Sequence, residues 1–160
     1  MERPSFHETF FQMIETLRQR STCLRAQYAA ILVRDNVILA TGYNGVPRGF
    51  PHCEECIKDK LDLPHGSTYP CPVVHAEANA IINAARSGVS TIGADLYVNG
   101  FPCQHCAAAI VNAGIARVIF ILNEEFGMPP ESLEVLKHGG VRLFRYVEGR
   151  LQPVEYPQDV

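Results

Sequence analysis

Two short clusters of metal-binding side chains, each standing where an alanine-rich helix begins, constrain this chain more than any other feature. His75-Ala76-Glu77 opens a run in which Ala78, Ala80, Ile81, Ile82, Ala84 and Ala85 carry a small-residue helix that stops before Gly88. Pro102-Cys103-Gln104-His105-Cys106 opens a second helix, which runs to Ala113 and ends at Gly114. Cys103 and Cys106 lie one turn apart, so both sulfurs project to the same side of the first turn, at a bite that suits tetrahedral zinc. His75 supplies a third ligand. A zinc with three protein ligands keeps its fourth position for water, which separates a reactive site from a closed structural one. Any fold that satisfies this pattern must bring two helix N-termini together. His75 and Glu77 are two residues apart and cannot share a helix face, so the metal belongs off the helix tip with Glu77 beside it. Two thiolates cancel the charge of Zn²⁺, and the unpaired N–H groups of two helix starts favour further negative charge by up to about 2 kcal/mol.

The rest of the chain alternates around these helices. Phe6, Phe10, Met13, Ile14 and Leu17 fall on one face of a helix expected from about Phe6 to Arg20, with Ser5 and Glu8 as its capping pair. Two apolar runs, Ala29 to Val33 and Val37 to Ala40, flank Arg34-Asp35-Asn36 and read as a hairpin. From Gly42 to Val74 periodicity is lost in a stretch too long for a plain connector, which marks it as functional or metal-clipped. Strands are expected at Leu96–Val98, Val118–Ile121 and Val141–Tyr146, with a helix at Pro130–Lys137; no pattern stands out after Val147. The order α-β-β-α-β-α-β-α-β predicts an α/β fold, a three-layer α-β-α sandwich on a five-stranded mixed sheet, as one domain over residues 1–160.

A net charge of −3 argues against a polynucleotide-binding face. With no apolar segment resembling a signal or a membrane span, a cytoplasmic protein with no membrane partner is expected. Six cysteines in that setting point to metal chemistry rather than disulfides.

His-x-Glu followed by Pro-Cys-x-x-Cys is the recognised signature of zinc-dependent nucleobase deaminases, in which the Glu moves protons and is not a ligand. Together with Thr41-Gly42-Tyr43-Asn44-Gly45-Val46-Pro47 and His75-Ala76-Glu77-Ala78-Asn79-Ala80-Ile81, the chain resembles deoxycytidylate (dCMP) deaminases, including late-competence-type bacterial members, over about residues 5 to 146. Cytidine deaminases usually carry Cys-Ala-Glu at the His75 position, and tRNA adenosine deaminases lack the Gly-Tyr-Asn-Gly loop. The resemblance implies a cytidine-deaminase-type sheet and conversion of dCMP and water to dUMP and ammonia. In that reaction Glu77 takes a proton from a zinc-activated water attacking C4, then serves N3 and the departing amine. It also implies that Asn44 contacts the nucleoside and that Ser21 and Arg25 help hold the 5′-phosphate. Arg86 falls near an interface position tied to dCTP and dTTP effectors, in a homo-oligomer that is commonly a hexamer. Arg25 and Arg86 read equally as solvated surface arginines, Asn44 as a turn residue before glycine, and Asn79 as a brace between helix and loop. Family members often have Val-Gly-Ala where this chain has Tyr28-Ala29-Ala30, and a Tyr where it has Asn123-Glu124-Glu125-Phe126. These departures bear on the substrate, which leaves cytidine, guanine or tRNA adenosine as alternative bases and a nonenzymatic zinc-binding nucleotide sensor as a further alternative.

The other cysteines, Cys23, Cys53, Cys56 and Cys71, are four in number, as a closed structural zinc requires. Cys53 and Cys56 form a Cys-x-x-Cys pair, and such a site would clip the long loop to the first hairpin. His52 or His65 could replace one cysteine, and scattered free thiols are the alternative. Some dCMP deaminases resemble this in having a second zinc with ligands near the positions of Cys23 and Cys53.

Overall fold

In the computed structural model, which describes residues 3–64, 67 and 70–158, every named strand joins one six-stranded sheet. Helix α1 spans Phe6–Leu17, with the Ser5 hydroxyl accepting from the Glu8 N–H at its start and a single 3₁₀ turn at Arg18–Arg20 after its end. Strands β1 (Ala29–Arg34) and β2 (Val37–Tyr43) form an antiparallel hairpin about Asp35 and Asn36. Both turn residues have positive φ, as a tight two-residue hairpin turn requires. A short helix, α2 (Ile57–Lys60), lies within the long loop. Then come α3 (Ala76–Arg86), β3 (Asp95–Val98), α4 (Gln104–Asn112), β4 (Arg117–Phe120), α5 (Pro130–His138), β5 (Arg142–Val147) and β6 (Arg150–Val154). The sheet order is β2-β1-β3-β4-β5-β6, with β3, β4 and β5 parallel and the remaining pairs antiparallel.

The three layers expected from the sequence follow from the two-residue alternation of the strands. Ala30, Leu32, Leu96, Val98, Val118 and Phe120 pack with Ala76, Ala80 and Ala84 of α3, Ala107 and Ile110 of α4, and Leu133 and Leu136 of α5. Their sequence neighbours Ala29, Ile31, Val33, Tyr97 and Ile119 turn the other way and bury Phe10, Phe11 and Ile14 of α1. Alanine on α3 and α4 lets both helices lie close to the sheet, which brings their N-termini to the same end of β1 and β3.

The sheet has one strand more than the five expected. β6 reads Arg-Leu-Gln-Pro-Val, short and with no buried residue, and follows a Glu148-Gly149 turn with both residues at positive φ. Pro153 lacks the N–H that a central strand needs, which is tolerable because β6 is an edge strand. Its pairing with β5 therefore rests on the turn and on Leu151 and Val154, too little periodicity for recognition in sequence.

At the opposite edge, β2 is covered from within. Asn79 and Asn83, one turn apart on α3, donate from Nδ2 to the Tyr43 and Thr41 carbonyls, both at 2.8 Å. A helical turn and two strand residues advance by similar lengths, so one helix face caps alternate carbonyls of an edge that would otherwise be open. Asn79 Nδ2 also donates to the Val74 carbonyl at 3.3 Å, the brace between helix and loop expected of it. Gly42 makes the approach possible, since a Cβ there would collide with the Ala76 carbonyl and the Ala80 amide. Gly42→Ala is expected to push α3 off β2 at a cost of about 1–3 kcal/mol, read as a lower urea midpoint; an unchanged midpoint would contradict this packing.

Candidate metal centre

The long loop is closed at its base. Gly45 and Val74 exchange both backbone hydrogen bonds, at 3.1 and 2.8 Å, so a stretch without periodicity still delivers His75 to a fixed place. His75 and Cys103 are the N-cap residues of α3 and α4, each with extended φ and ψ, and neither side chain caps its own helix. Both side chains are thereby free to face each other. The N–H of Ala76 is capped instead by the Asn44 Oδ1 at 2.8 Å, while the Asn44 Nδ2 donates to the Ala26 carbonyl at 3.1 Å. Asn44 is 3% exposed, and its backbone is also held by Tyr28, Thr22 and Ser21. Asn44→Ala leaves the Ala76 N–H at the start of α3 without its cap and takes one donor from the Ala26 carbonyl; a loss of about 1–3 kcal/mol is expected, measured by urea unfolding of the zinc-loaded protein.

The ligand atoms of His75, Cys103 and Cys106 lie within 4.8 Å of one another, the one such three-residue group among the described residues. The His75 Nδ1 stands 3.4 Å from the Cys103 sulfur and 3.6 Å from that of Cys106. Zinc–sulfur and zinc–nitrogen bonds at a tetrahedral angle require a nitrogen–sulfur separation of about 3.6 Å, so the donor set fits zinc. A hydrogen bond from Cys106 is the main cause that holds the Cys103 thiol far below its ordinary range, burial opposing and His75 assisting. Cys106 is pushed up in turn, first by that shared proton and then by burial. His75 is raised, chiefly by its bond to Cys103.

Glu77 is 6% exposed in the first turn of α3. Burial raises its pKa, opposed by the charge of His75 and by hydrogen bonds from its own N–H and from Cys106. This places a buried carboxyl next to the three-donor group.

The model for the cytidine and deoxycytidylate deaminase zinc-binding region matches residues 4–122. The chain belongs to that deaminase family. Within the family it is similar to deoxycytidylate deaminase of Schizosaccharomyces pombe (34% identity, covering 91% of this chain and 45% of the relative). It is also similar to ComE operon protein 2 of Bacillus subtilis (36% identity, 88% of this chain, 71% of the relative). This deaminase-family chain thus spans less than half the length of the fission-yeast relative. Its fold is similar to that in the crystal structure of dCMP deaminase from the cyanophage S-TIM5 in complex with dCMP and dUMP, with a TM-score of 0.74 and 32% identity over 91% of this chain and 100% of that one.

The remaining residues singled out by sequence are placed unevenly around this deaminase centre. Ser21 is taken up within its loop, donating to the Asn44 carbonyl at 2.8 Å. The Arg25 side chain is 11% exposed; its Nε is 3.3 Å from the Asp59 carboxylate, its Nη2 donates to the Leu63 carbonyl, and its Nε and Nη1 have no hydrogen-bond partner. Arg86 is exposed in the last turn of α3. Among the described residues, Cys23, Cys53, Cys56, Cys71 and His52 are not gathered into a three-donor group, and Cys23 accepts from the Ala26 N–H at 3.4 Å. His65 lies outside the described residues. One residue near the site escaped sequence reasoning: Lys58 of α2 brings its charge close enough to affect His75 and belongs to no spaced motif. Tyr28, marked in the sequence by its departure from the family pattern, packs on the face of Ala30 and Leu32. Among the described residues, no helix is long and apolar enough to cross a membrane.

Proposed function

We propose that the chain catalyses the zinc-dependent hydrolytic deamination of a cytosine nucleotide, converting dCMP and water to dUMP and ammonia. The observation that carries this is the His75, Cys103, Cys106 donor set with the buried Glu77 beside it. Likeness to a cyanophage dCMP deaminase in complex with dCMP and dUMP supports the substrate. Zinc held by the three donors supplies the Lewis acidity that lowers the pKa of a water to about 7. Glu77, kept in a site where its protonated form is accessible, accepts that proton and passes protons to N3 and to the amine leaving C4. The C4–O bond forms as N3 is protonated, and the C4–N bond then breaks as the protonated amine leaves as ammonia.

Asn44 retains a second Nδ2 hydrogen beyond the one given to Ala26, which supports a contact to the nucleoside. The unpartnered Nη1 of Arg25, with Lys58 from the same loop, supports recognition of the 5′-phosphate; Ser21 contributes by holding the loop. One deaminase domain over residues 1–160 is supported by a single sheet.

A second zinc, on Cys23, Cys53, Cys56 and Cys71, is supported by the Cys53-x-x-Cys56 spacing and by Arg25, which ties the Cys23 segment to the loop of the other three. Exposed Ile82 beside Arg86 on α3 supports a homo-oligomer, with effector contacts of dCTP or dTTP at that surface, in a cytoplasmic enzyme.

Ammonia release from dCMP, CMP, deoxycytidine, guanine and tRNA, each with and without dCTP and dTTP, tests the substrate and its control. Turnover of dCMP above the others is expected; release from none of them would reject the proposal. Metal analysis should give two zinc per chain, and a value of one would remove the second site.

A further inference from the structure

The segment from Ser21 to Ala26 carries Arg25, the residue assigned above to the 5′-phosphate, and it is held together from within. The Cys23 N–H donates to the Ser21 hydroxyl at 3.2 Å, and the Ala26 N–H donates to the Cys23 sulfur at 3.4 Å. Local bonds of this kind fix the shape of a turn and not its place in the fold. Opposite it runs Asn44-Gly45-Val46, which is tied to the metal centre. Gly45 exchanges both backbone bonds with Val74, the residue before His75, and Asn44 caps Ala76, the residue after it. Thr22 joins the two segments. Its N–H donates to the Asn44 carbonyl at 3.1 Å, and its Oγ1 accepts from the Val46 N–H at 3.0 Å. The half-buried hydroxyl thus stands in for a main-chain acceptor. It lies close over Gly45, where a Cβ would be 3.1 Å from Oγ1.

Asn44 has further ties to this stretch: its carbonyl accepts from the Ser21 hydroxyl, its Nδ2 donates to the Ala26 carbonyl, and its N–H donates to the Tyr28 carbonyl. All of them end on one residue, about which the segment can tilt. The Thr22 hydroxyl reaches two residues further, past the Gly45–Val74 bridge, and removes that freedom. A substrate that meets the metal centre with its base and Arg25 with its phosphate needs both ends held at one separation, and a substrate without a phosphate does not. We propose that Thr22 is a positioning residue, its hydroxyl setting the separation between the Arg25 segment and the metal centre and thereby the preference for a nucleotide over its nucleoside. This role rests on the deaminase reading of the site and on Arg25 as the partner of the phosphate.

The test compares dCMP with deoxycytidine, which has the same reacting base and no phosphate, using the zinc-loaded full chain and its variants T22V, T22S and G45A. Valine keeps the branched shape of threonine and removes the acceptor of the Val46 N–H. T22V is expected to raise KM for dCMP by about tenfold and to change kcat less than about threefold. With kcat/KM for deoxycytidine held within about threefold, the preference for dCMP falls by about tenfold. T22S restores the hydroxyl and should bring the preference back to within about threefold of wild type. G45A presses a methyl group against the Thr22 Oγ1 and should lower the preference by about fivefold; it is the deciding variant if T22V does not fold. A merely structural role would lower the unfolding temperature and reduce turnover of both substrates equally. A preference within about threefold of wild type in T22V, or within about twofold in G45A where T22V is not folded, overturns the proposal. So does a T22S that stays as poor as T22V. The wild type reports separately on the underlying reading: ammonia from neither substrate rejects the deaminase activity itself, whereas equal use of the two rejects the phosphate site and the role of Thr22 with it.

Discussion

Glu77→Gln is expected to keep zinc at the His75 centre and to lower kcat for dCMP by about 10²–10⁴-fold, with KM changing far less. The glutamine side chain fills the same volume and can still bond to neighbouring donors, so the buried first turn of α3 should not rearrange. It cannot take up and release a proton. The Glu77 carboxyl is buried beside the donor set, in which the His75 Nδ1 faces both sulfurs. The measurements are single-turnover ammonia release together with zinc content. Activity within a few-fold of wild type, at full zinc content, would eliminate Glu77 as the proton carrier; loss of zinc in the variant would make the carboxyl a ligand instead.

Cys103→Ser should have the opposite signature, losing metal first and activity as a result. A serine hydroxyl at the N-cap of α4 is a poor zinc donor, and it is drawn to the free N–H groups of that helix start, where Ser is a preferred cap. Removing a direct ligand is expected to weaken zinc binding by more than the roughly 10–100-fold typical of changes around the ligands, read by competition against a chelating dye. The stability consequence is separate and also measurable. At free zinc 1,000-fold above the dissociation constant, metal binding adds about 4 kcal/mol to the folded state. Chelation should therefore lower the unfolding temperature of the wild type and leave that of Cys103→Ser almost unmoved. Binding should also weaken as pH falls, since protons compete for the sulfurs and the imidazole. A Cys103→Ser protein that holds the His75-site zinc at wild-type affinity would rule out Cys103 as a ligand.

Much of the fold could be read along the chain because its signals are local. The Ser5 cap, the stripe of Phe10 and Ile14, the Asp35-Asn36 turn and the alanine faces of α3 and α4 all act within one or two turns of backbone. The sixth strand could not be read this way. An edge strand of five residues that includes Pro153 has no periodicity of its own and exists because β5 offers it a partner. The long loop shows the same limit. Its lack of pattern signalled a special segment, but its closure depends on two backbone bonds between Gly45 and Val74, which any residue types could make.

At the candidate site, residue type and spacing determined the donors. Histidine and two cysteines one turn apart can do little else together at two helix starts, and Glu77 follows from its place beside them. Partners were decided only by the tertiary structure. Asn44 caps α3 across 32 residues, Asn79 and Asn83 seal the β2 edge, Arg25 reaches the Leu63 carbonyl and the Asp59 carboxylate of the long loop, and the Tyr28 ring packs against Gly100. The physical reason is the same in each case. Ligand chemistry resides in the side chain and travels with the sequence, whereas a hydrogen-bond partner or a pocket wall depends on which distant segment the packed sheet brings within reach.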